Sequence, residues 1–385
     1  MSKVSCLAVL SLSIIPLQTG CGRQDGSSSP PKPFFEKGLV APEQSIPCYY
    51  DDTGKQADSC NHHGSSVAIE KDGTVLVAWY TGVSEKSRDS SIVWARKPPG
   101  ETEFEKPEVL FDEPHLAEGN PVIWVREDGD LFLFFVTIFG ESWNDARVRM
   151  IRSKDRGETW SKVVDLREEW RWMTRNHPLR MSSGELLLPC YNEREYIPAF
   201  LVSSNDFEKD WKEITMDMNN LIPFLQQIQP TVIRKKDGSL LALNRNETSL
   251  GGDNRRATMM SSLDNGRTWS DPELSEVPNS GVGIEMITLE DGNVVLAFDN
   301  SPNRRFPVAA ALSEDEGRTW SHVAVLNDEC PEGKRCGYGY TSIAQNPRDK
   351  SLWVSYTYNR DTIGWIHFNE EWLKQQDDGF NYQDN

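Results

Sequence analysis

The sequence has no surplus of positive charge, no second long apolar run and no cysteine–histidine spacing of the zinc-finger kind. Lys and Arg total 41 against 59 Asp and Glu, a formal net charge of −18. That balance argues against binding nucleic acid by phosphate neutralisation, which needs a concentrated positive surface. Steering of an anionic ligand would have to come from a local cluster of arginines, not from the net field. Beyond residue 21 no stretch approaches the ~18 apolar residues of a membrane-spanning helix. The seven cysteines fit no structural zinc site, and no motif demands a metal or cofactor. Disorder is also excluded by composition, since 37% hydrophobic residues with 13 Trp and 15 Phe give ample core material.

What is present begins with an export pattern. Lys3, the apolar run Val4 to Leu17, and Thr19 and Gly20 before Cys21 read as an export signal over residues 1–21. Leu17-Gln18-Thr19-Gly20-Cys21 resembles a bacterial lipoprotein box with Gln18 in the usual Leu position. A lipidated Cys21, the one expected membrane attachment, and simple secretion therefore stand as alternatives, both placing the protein at a bacterial envelope or outside it. Residues 22–45, rich in Ser, Pro and Gly as far as Pro33, read as a flexible tether. Residues 46–378 are expected as one domain and a monomer, with 379–385 as a tail. In an oxidising compartment the sequence-local pairs Cys48–Cys60 and Cys330–Cys336 are the expected disulfides, leaving Cys190 buried and free.

Two repeats share one period. The first is a tight turn before an apolar strand: Asp72-Gly73, Asp128-Gly129, Ser183-Gly184, Asp237-Gly238, Asp291-Gly292 and Asp349-Lys350. The second is Ser-x-Asp-x-Gly-x-Thr-Trp at Ser153–Trp160, Ser262–Trp269 and Ser313–Trp320, with a worn copy read at Ser204, Asp206 and Trp211. Six turns about 55 residues apart give six four-stranded sheets, and radial repetition of such sheets protects their edges. The expected fold is an all-β, six-bladed β-propeller.

The second repeat is the Asp-box, or BNR repeat, and the chain resembles the sialidase (neuraminidase) superfamily, in its BNR-repeat neuraminidase-like branch. Asn120-Pro121 before Asp128–Phe135, and Leu352–Tyr356 with Ile363–Phe368 and Trp372-Leu373, resemble further blades of that family. The resemblance implies structural roles for Asp155, Asp264 and Asp315, away from the active centre. It also implies an axial pocket for a glycan, no nucleic-acid partner, and an exo-glycosidase removing a terminal acidic sugar, by family default sialic acid. In the family three Arg hold the sugar carboxylate, a Tyr made reactive by a Glu is the nucleophile, and an Asp on a loop is the acid/base, a departure from the two-carboxylate scheme.

Position by position, Arg245 matches the second Arg and Arg305, or its neighbour Arg304, the third. Tyr340 fits the nucleophile, with Tyr338 in reserve. Asp89, ahead of Glu85, occupies the acid position. Two departures stand out. His63, beside His62, lies where the first Arg belongs, and Gln227-Ile228-Gln229-Pro230-Thr231 has no acid where the Glu partner belongs, leaving Glu247 or Glu285 as substitutes. Arg175 and His177 open another blade, with Arg175, Gln229, His62 and Tyr338 as further substrate contacts. The His residues support a second enzyme reading, a uronic-acid glycoside hydrolase or lyase using His and Tyr. A third reading is a non-catalytic carbohydrate-binding propeller, with Trp94, Trp124 and Trp143 as stacking aromatics.

Overall fold

A computed structural model describes residues 31–41, 48–50, 55–207, 212–215, 226–247, 255–330, 332–333 and 336–382. The export signal, the lipoprotein-type Cys21 and most of the tether lie outside the described residues. Among the described residues six antiparallel blade sheets follow one another, five of them four-stranded on a simple path and the third with an extra strand at Leu179–Arg180, and a separate two-stranded sheet pairs Tyr49–Tyr50 with Lys55–Gln56. Blade one spans Asn61 to Phe111, blade two Ala117 to Asp165, blade three Trp172 to Thr215, blade four Gln227 to Pro278 and blade five Glu285 to Asn327. The last blade takes strands Ser342–Gln345, Leu352–Tyr358 and Thr362–Phe368 from the C-terminal part and Phe35–Leu39 from the N-terminal part. The all-β, six-bladed expectation holds.

Residues 35–39 correct the reading of 22–45 as a tether. They pair antiparallel with Thr362–Phe368, from Phe35 opposite Phe368 to Leu39 opposite Gly364, so the ring is closed by hydrogen bonds between the chain's two ends. Phe35 stacks on Trp372, an apolar anchor hidden among the polar residues of that stretch. The tail is tied down as well: Asn381 N donates to Asn300 Oδ1 at 2.8 Å and Tyr382 Oη to Glu276 O at 2.8 Å.

Packing follows the radial plan. Each of the six buried apolar clusters bridges two adjacent blades, and together they cover the six junctions of the ring. The strands are apolar on both faces, as in Leu131–Ile138, because each sheet is sandwiched between neighbours. The two expected disulfides are present and Cys190 is buried and free.

The repeats define one end of the ring. All six turn positions are left-handed, with φ of 91°, 103°, 83°, 88° and 95° at the five glycines and 62° at Lys350, a conformation glycine adopts without steric cost. Each intact Asp-box closes the same way. At Asp264 the carboxylate accepts from Thr268 N (2.8 Å) and Thr268 Oγ1 (2.7 Å), while Gly266 N donates to Ser262 Oγ (2.8 Å). The box tryptophans wedge between blades, Trp160 against Trp94 and Trp269 stacked on Phe200. The worn copy sits one residue earlier than expected. Phe207 N donates to Ser203 Oγ and Ser203 pairs with Asn205, so Ser203, Asn205 and Phe207 fill the Ser, Asp and Gly places. Asp206 turns away to Arg180.

Candidate functional site

At the other end, where the innermost strands begin, lies a polar cavity of about 180 Å³. Two sets of residues build it. The hairpin between the second and third strands of every blade sends one side chain or more inward: Glu85, Trp143, Glu193, Glu247, Arg305 and Arg360 for blades one to six. The second set comes from the innermost strands, where a left-handed residue recurs at Gly64, Asn120, Gln229 and Tyr340 with φ of 64°, 46°, 53° and 55°. In the first, second and fourth blades it coincides with a register shift. A bulge of this kind re-aims a side chain, and Asn120, Gln229 and Tyr340 all face the cavity.

Tyr340 is the centre of the charge pattern. Its phenol oxygen accepts from Arg245 Nη1 at 2.8 Å, and the guanidinium carbons of Arg245 and Arg305 each lie 5.5 Å from its ring centroid. Burial pushes the phenol up, but the positive charges of Arg245 and Arg305 and the Arg245 hydrogen bond outweigh it, so its pKa falls below the ordinary tyrosine value. Arg245 also donates to Gln229 Oε1 at 3.1 Å and forms an ion pair with Glu247. Tyr191 Oη accepts from Asn120 Nδ2 (3.1 Å) and Gln229 Nε2 (3.2 Å), fixing both amides. Burial lifts the carboxyl of Glu193 to about 7, against a lowering pull from Arg245.

The expected residues divide sharply. Tyr340, Arg245, Arg305, Gln229 and Glu85 line the cavity. Asp89 does not, because its carboxylate accepts from Val83 N at 3.0 Å to brace the loop that carries Glu85. Arg304 faces a neighbouring cavity with Phe306 and Cys336. Tyr338 is buried, stacks on Tyr358 and donates to Glu329 O. Glu285 is 1% exposed and sits beneath the floor, accepting from His177 Nδ1 (2.7 Å), His177 N (2.8 Å), Ser342 Oγ (2.7 Å) and Ile343 N (3.0 Å). Their mutual attraction outweighs burial, lowering the pKa of Glu285 and raising that of His177, so the two form a buried charged pair away from the cavity. Of the two substitutes, Glu247 is the one that reaches the cavity.

Arg175 and His62, expected as substrate contacts, and His63, expected at the scissile bond, instead support the cavity. Arg175 Nη2 donates to the carbonyls of Tyr340 (2.6 Å) and Thr341 (3.1 Å), holding the left-handed tyrosine from below. His62 Nδ1 accepts from Trp79 Nε1 at 3.0 Å, and burial lowers its pKa to about 4. His63 packs edge-on against the Tyr340 ring, centroids 4.3 Å apart, with Nδ1 2.9 Å from Thr357 Oγ1. Burial first, then Arg360, Arg305, Arg175 and Arg245, push it well below its usual value, so it is a neutral wall. Trp143 lines the cavity, with Gly119 leaving room for its ring, whereas Trp94 and Trp124 pack within the fold. The sequence reading missed Arg360, Glu193, Tyr191 and Tyr196. The middle hairpin of each blade, which follows its turn by one strand, was the signal that locates the first two.

A six-bladed ring with Asp-boxes at one end and an arginine-framed tyrosine at the other defines a sialidase-like BNR-repeat propeller. The chain belongs to the BNR repeat-like domain family, which matches residues 73–352. It is 34% identical over 95 residues to Sialidase-3 of Bos taurus, covering 20% of this chain and 22% of that one. It is 29% identical over 248 residues to a sialidase of Paraclostridium sordellii, covering 56% and 57%. These matches span about a fifth and just over half of the relatives. The fold is similar to that of the intramolecular trans-sialidase of Ruminococcus gnavus, with a TM-score of 0.66 and 15% identity over 81% of this chain and 95% of that one.

Proposed function

We propose that this protein is an exo-glycoside hydrolase that removes a terminal acidic sugar from a glycan, with sialic acid as the leading substrate. The observation that carries the proposal is the buried phenol of Tyr340 held against Arg245 and Arg305 in a cavity fed by all six blades. Two guanidinium groups on one wall suit a carboxylate, which they grip with charge-assisted hydrogen bonds. The relatives named as sialidases support the same substrate class.

In this reading Tyr340 Oη attacks the anomeric carbon as the bond to the leaving oxygen breaks. Arg245 and Arg305 lower the cost of ionising the phenol, which gives its proton to solvent in the cavity before attack, and Glu247 anchors Arg245. Glu193, protonated up to about pH 7, supplies the leaving oxygen with its proton and then takes one from the water that frees the sugar. Glu85 is engaged with Arg360 at 2.9 Å and with Tyr80 Oη at 3.3 Å, which leaves Glu193 as the better proton donor. Export, by lipid attachment at Cys21 or by release, would bring this cavity to external glycans, and the two disulfides are in keeping with it.

The uronate reading draws on one observation, the contact of His63 with the Tyr340 ring, with His63 Nε2 unpartnered among the described residues. The test is product release by purified protein from α-sialosides and from α- and β-linked uronic-acid glycans, with Arg245→Ala as control. Free sialic acid, lost in the variant, is the expected result. Unsaturated or uronic products would transfer the site to the uronate chemistry, and silence with intact folding would leave a carbohydrate-binding propeller.

A further inference from the structure

Beneath the cavity floor, four consecutive residues of one segment are gripped by two charged side chains that the proposed chemistry leaves unused. Arg175 Nη2 donates to the carbonyls of Tyr340 (2.6 Å) and Thr341 (3.1 Å), and Glu285 accepts from Ser342 Oγ (2.7 Å) and Ile343 N (3.0 Å). His177, on the same stretch of blade three as Arg175, joins the two by placing its backbone N and its Nδ1 on Glu285 Oε1. Its other ring nitrogen lies 3.0 Å from the carbonyl of Ile123. Both ring nitrogens face acceptors, an arrangement satisfied in full by the imidazolium, which carries two N–H donors.

The grip falls on a strained residue. Tyr340 has a φ of 55°, a left-handed conformation that costs free energy in a residue bearing a Cβ and persists where the surroundings over-determine it. The groups that hold it are themselves anchored around the axis. Val67 N donates to Ser342 Oγ at 3.1 Å and Ile123 N to Ser66 Oγ at 3.2 Å. Asn176 Nδ2 donates to the carbonyls of Gln229 (3.1 Å) and Pro230 (3.0 Å). With Glu285 from blade five, the innermost segments of all six blades meet in this belt. The backbone setting of Tyr340 fixes where its ring emerges, and Arg245 Nη1 meets the phenol oxygen there at 2.8 Å.

We infer that Arg175, His177 and Glu285 are positioning residues for the reaction, a clamp that holds the left-handed Tyr340 so that its phenol stays on Arg245. The inference rests on the reading of Tyr340 as nucleophile and deepens it. None of the three lines the cavity, so the effect runs through the backbone of residues 340–343. A buried ion pair need not add stability over apolar residues of the same size; what this one adds is the setting of one side chain. The phenol reports that setting. Arg245 and Arg305 favour its ionisation, Glu85 opposes it and His63 is neutral, so a ring that slips away from Arg245 is left with the upward push of burial.

The test is spectrophotometric titration of Tyr340 in the full chain, isolated as the difference between each protein and the same protein carrying Tyr340→Phe, alongside kcat and KM for an aryl α-sialoside. Glu285→Gln is expected to move the phenol's titration upward by about one pH unit and to cut kcat on the order of 10²-fold, the cost of an ångström-scale misplacement, with KM little changed. Loss of a carboxylate does not by itself raise a phenol's pKa, so an upward shift reports lost positioning. Ser342→Ala removes one bond of the clamp and keeps the ion pair; it should shift both quantities the same way by less, and it decides the matter if Glu285→Gln does not fold. Asp264→Ala, at the far end, is the control for lost stability and should move neither. If the titration or kcat keeps its wild-type value in both clamp variants, whatever their melting temperatures, the inference is overturned. Retained turnover in Tyr340→Phe, or none in the wild type, would overturn the nucleophile reading instead, and the titration alone would then decide whether the clamp sets the phenol.

Discussion

The two ends of this propeller obey different rules. At the turn end, six blades repeat a left-handed turn, and three of them an intact box in which Ser and Asp close a loop on their own backbone. At the cavity end, the six middle hairpins present Glu, Trp, Glu, Glu, Arg and Arg, with no residue type common to all. Repetition serves stability, since every blade faces the same packing problem at its junctions. The cavity hairpins are not bound by that packing problem, so acids, an aromatic and arginines meet there. A fold can be shared widely while the chemistry changes one hairpin at a time.

The contrast can be broken most forcefully at Tyr340. Tyr340→Phe keeps the ring packing against His63 and removes the phenol, so turnover is expected to fall on the order of 10³-fold or more, with an unchanged melting temperature. Full activity in that variant would remove the tyrosine from the mechanism. Glu193→Gln is expected to cost about 10²- to 10⁴-fold on natural glycans, and far less on aryl glycosides whose leaving groups need no proton. The sign of the pH effect follows from the raised pKa: the acid form does the work, so wild-type rate declines as pH rises through about 7. A pH–rate profile that keeps this limb in Glu193→Gln would contradict the assignment.

The turn end should give the opposite result. Asp264→Ala removes a carboxylate that holds Thr268 N, Thr268 Oγ1 and Ser262 Oγ, a loss of about 1–3 kcal/mol. The expected readout is a melting temperature lower by a few degrees with kcat and KM retained below it. A large loss of activity at full stability would mean that the two ends are coupled.

A pH-dependent effect sharpens the boundary beneath the cavity. Asp299 is buried with neither oxygen partnered among the described residues, and burial, opposed by Arg305, raises its pKa to about 8. The folded state then holds a proton that the unfolded chain releases near pH 4. Stability from this group is complete below that pH and is lost as pH rises towards 8. Asp299→Asn should flatten that decline, with thermal melts from pH 5 to 8 as the measure. Equal slopes in the two proteins would refute the linkage.

The same contrast explains what could be read from the sequence. The turns and boxes announce themselves because local backbone chemistry requires Gly, Asp, Ser and Thr at fixed offsets, and those offsets gave the blade count. The worn box slipped by one residue because Asn205 and Phe207 satisfy the loop without matching the pattern. Tyr340, Arg245 and Arg305 were legible through resemblance, since the short segments around them match the family's pattern. Arg360 and Glu193 were not, because their roles depend on which hairpins the ring brings together, a contact between residues nearly three hundred positions apart in the case of Arg360 and Glu85. Asp89 and Glu285 illustrate the converse. Their residue types suit catalysis, but Val83 N claims the first and His177 the second. The strand Phe35–Leu39 was hidden by its polar neighbours, since its partner strand lies at the far end of the chain.

The most direct test of the account is mass spectrometry of the protein quenched during reaction with a slow, fluorinated sialoside that accumulates a covalent intermediate. The account predicts one sugar mass on the peptide containing Tyr340 in the wild type and none in Tyr340→Phe. Turnover of sialosides with no adduct on Tyr340, and undiminished in Tyr340→Phe, would contradict it.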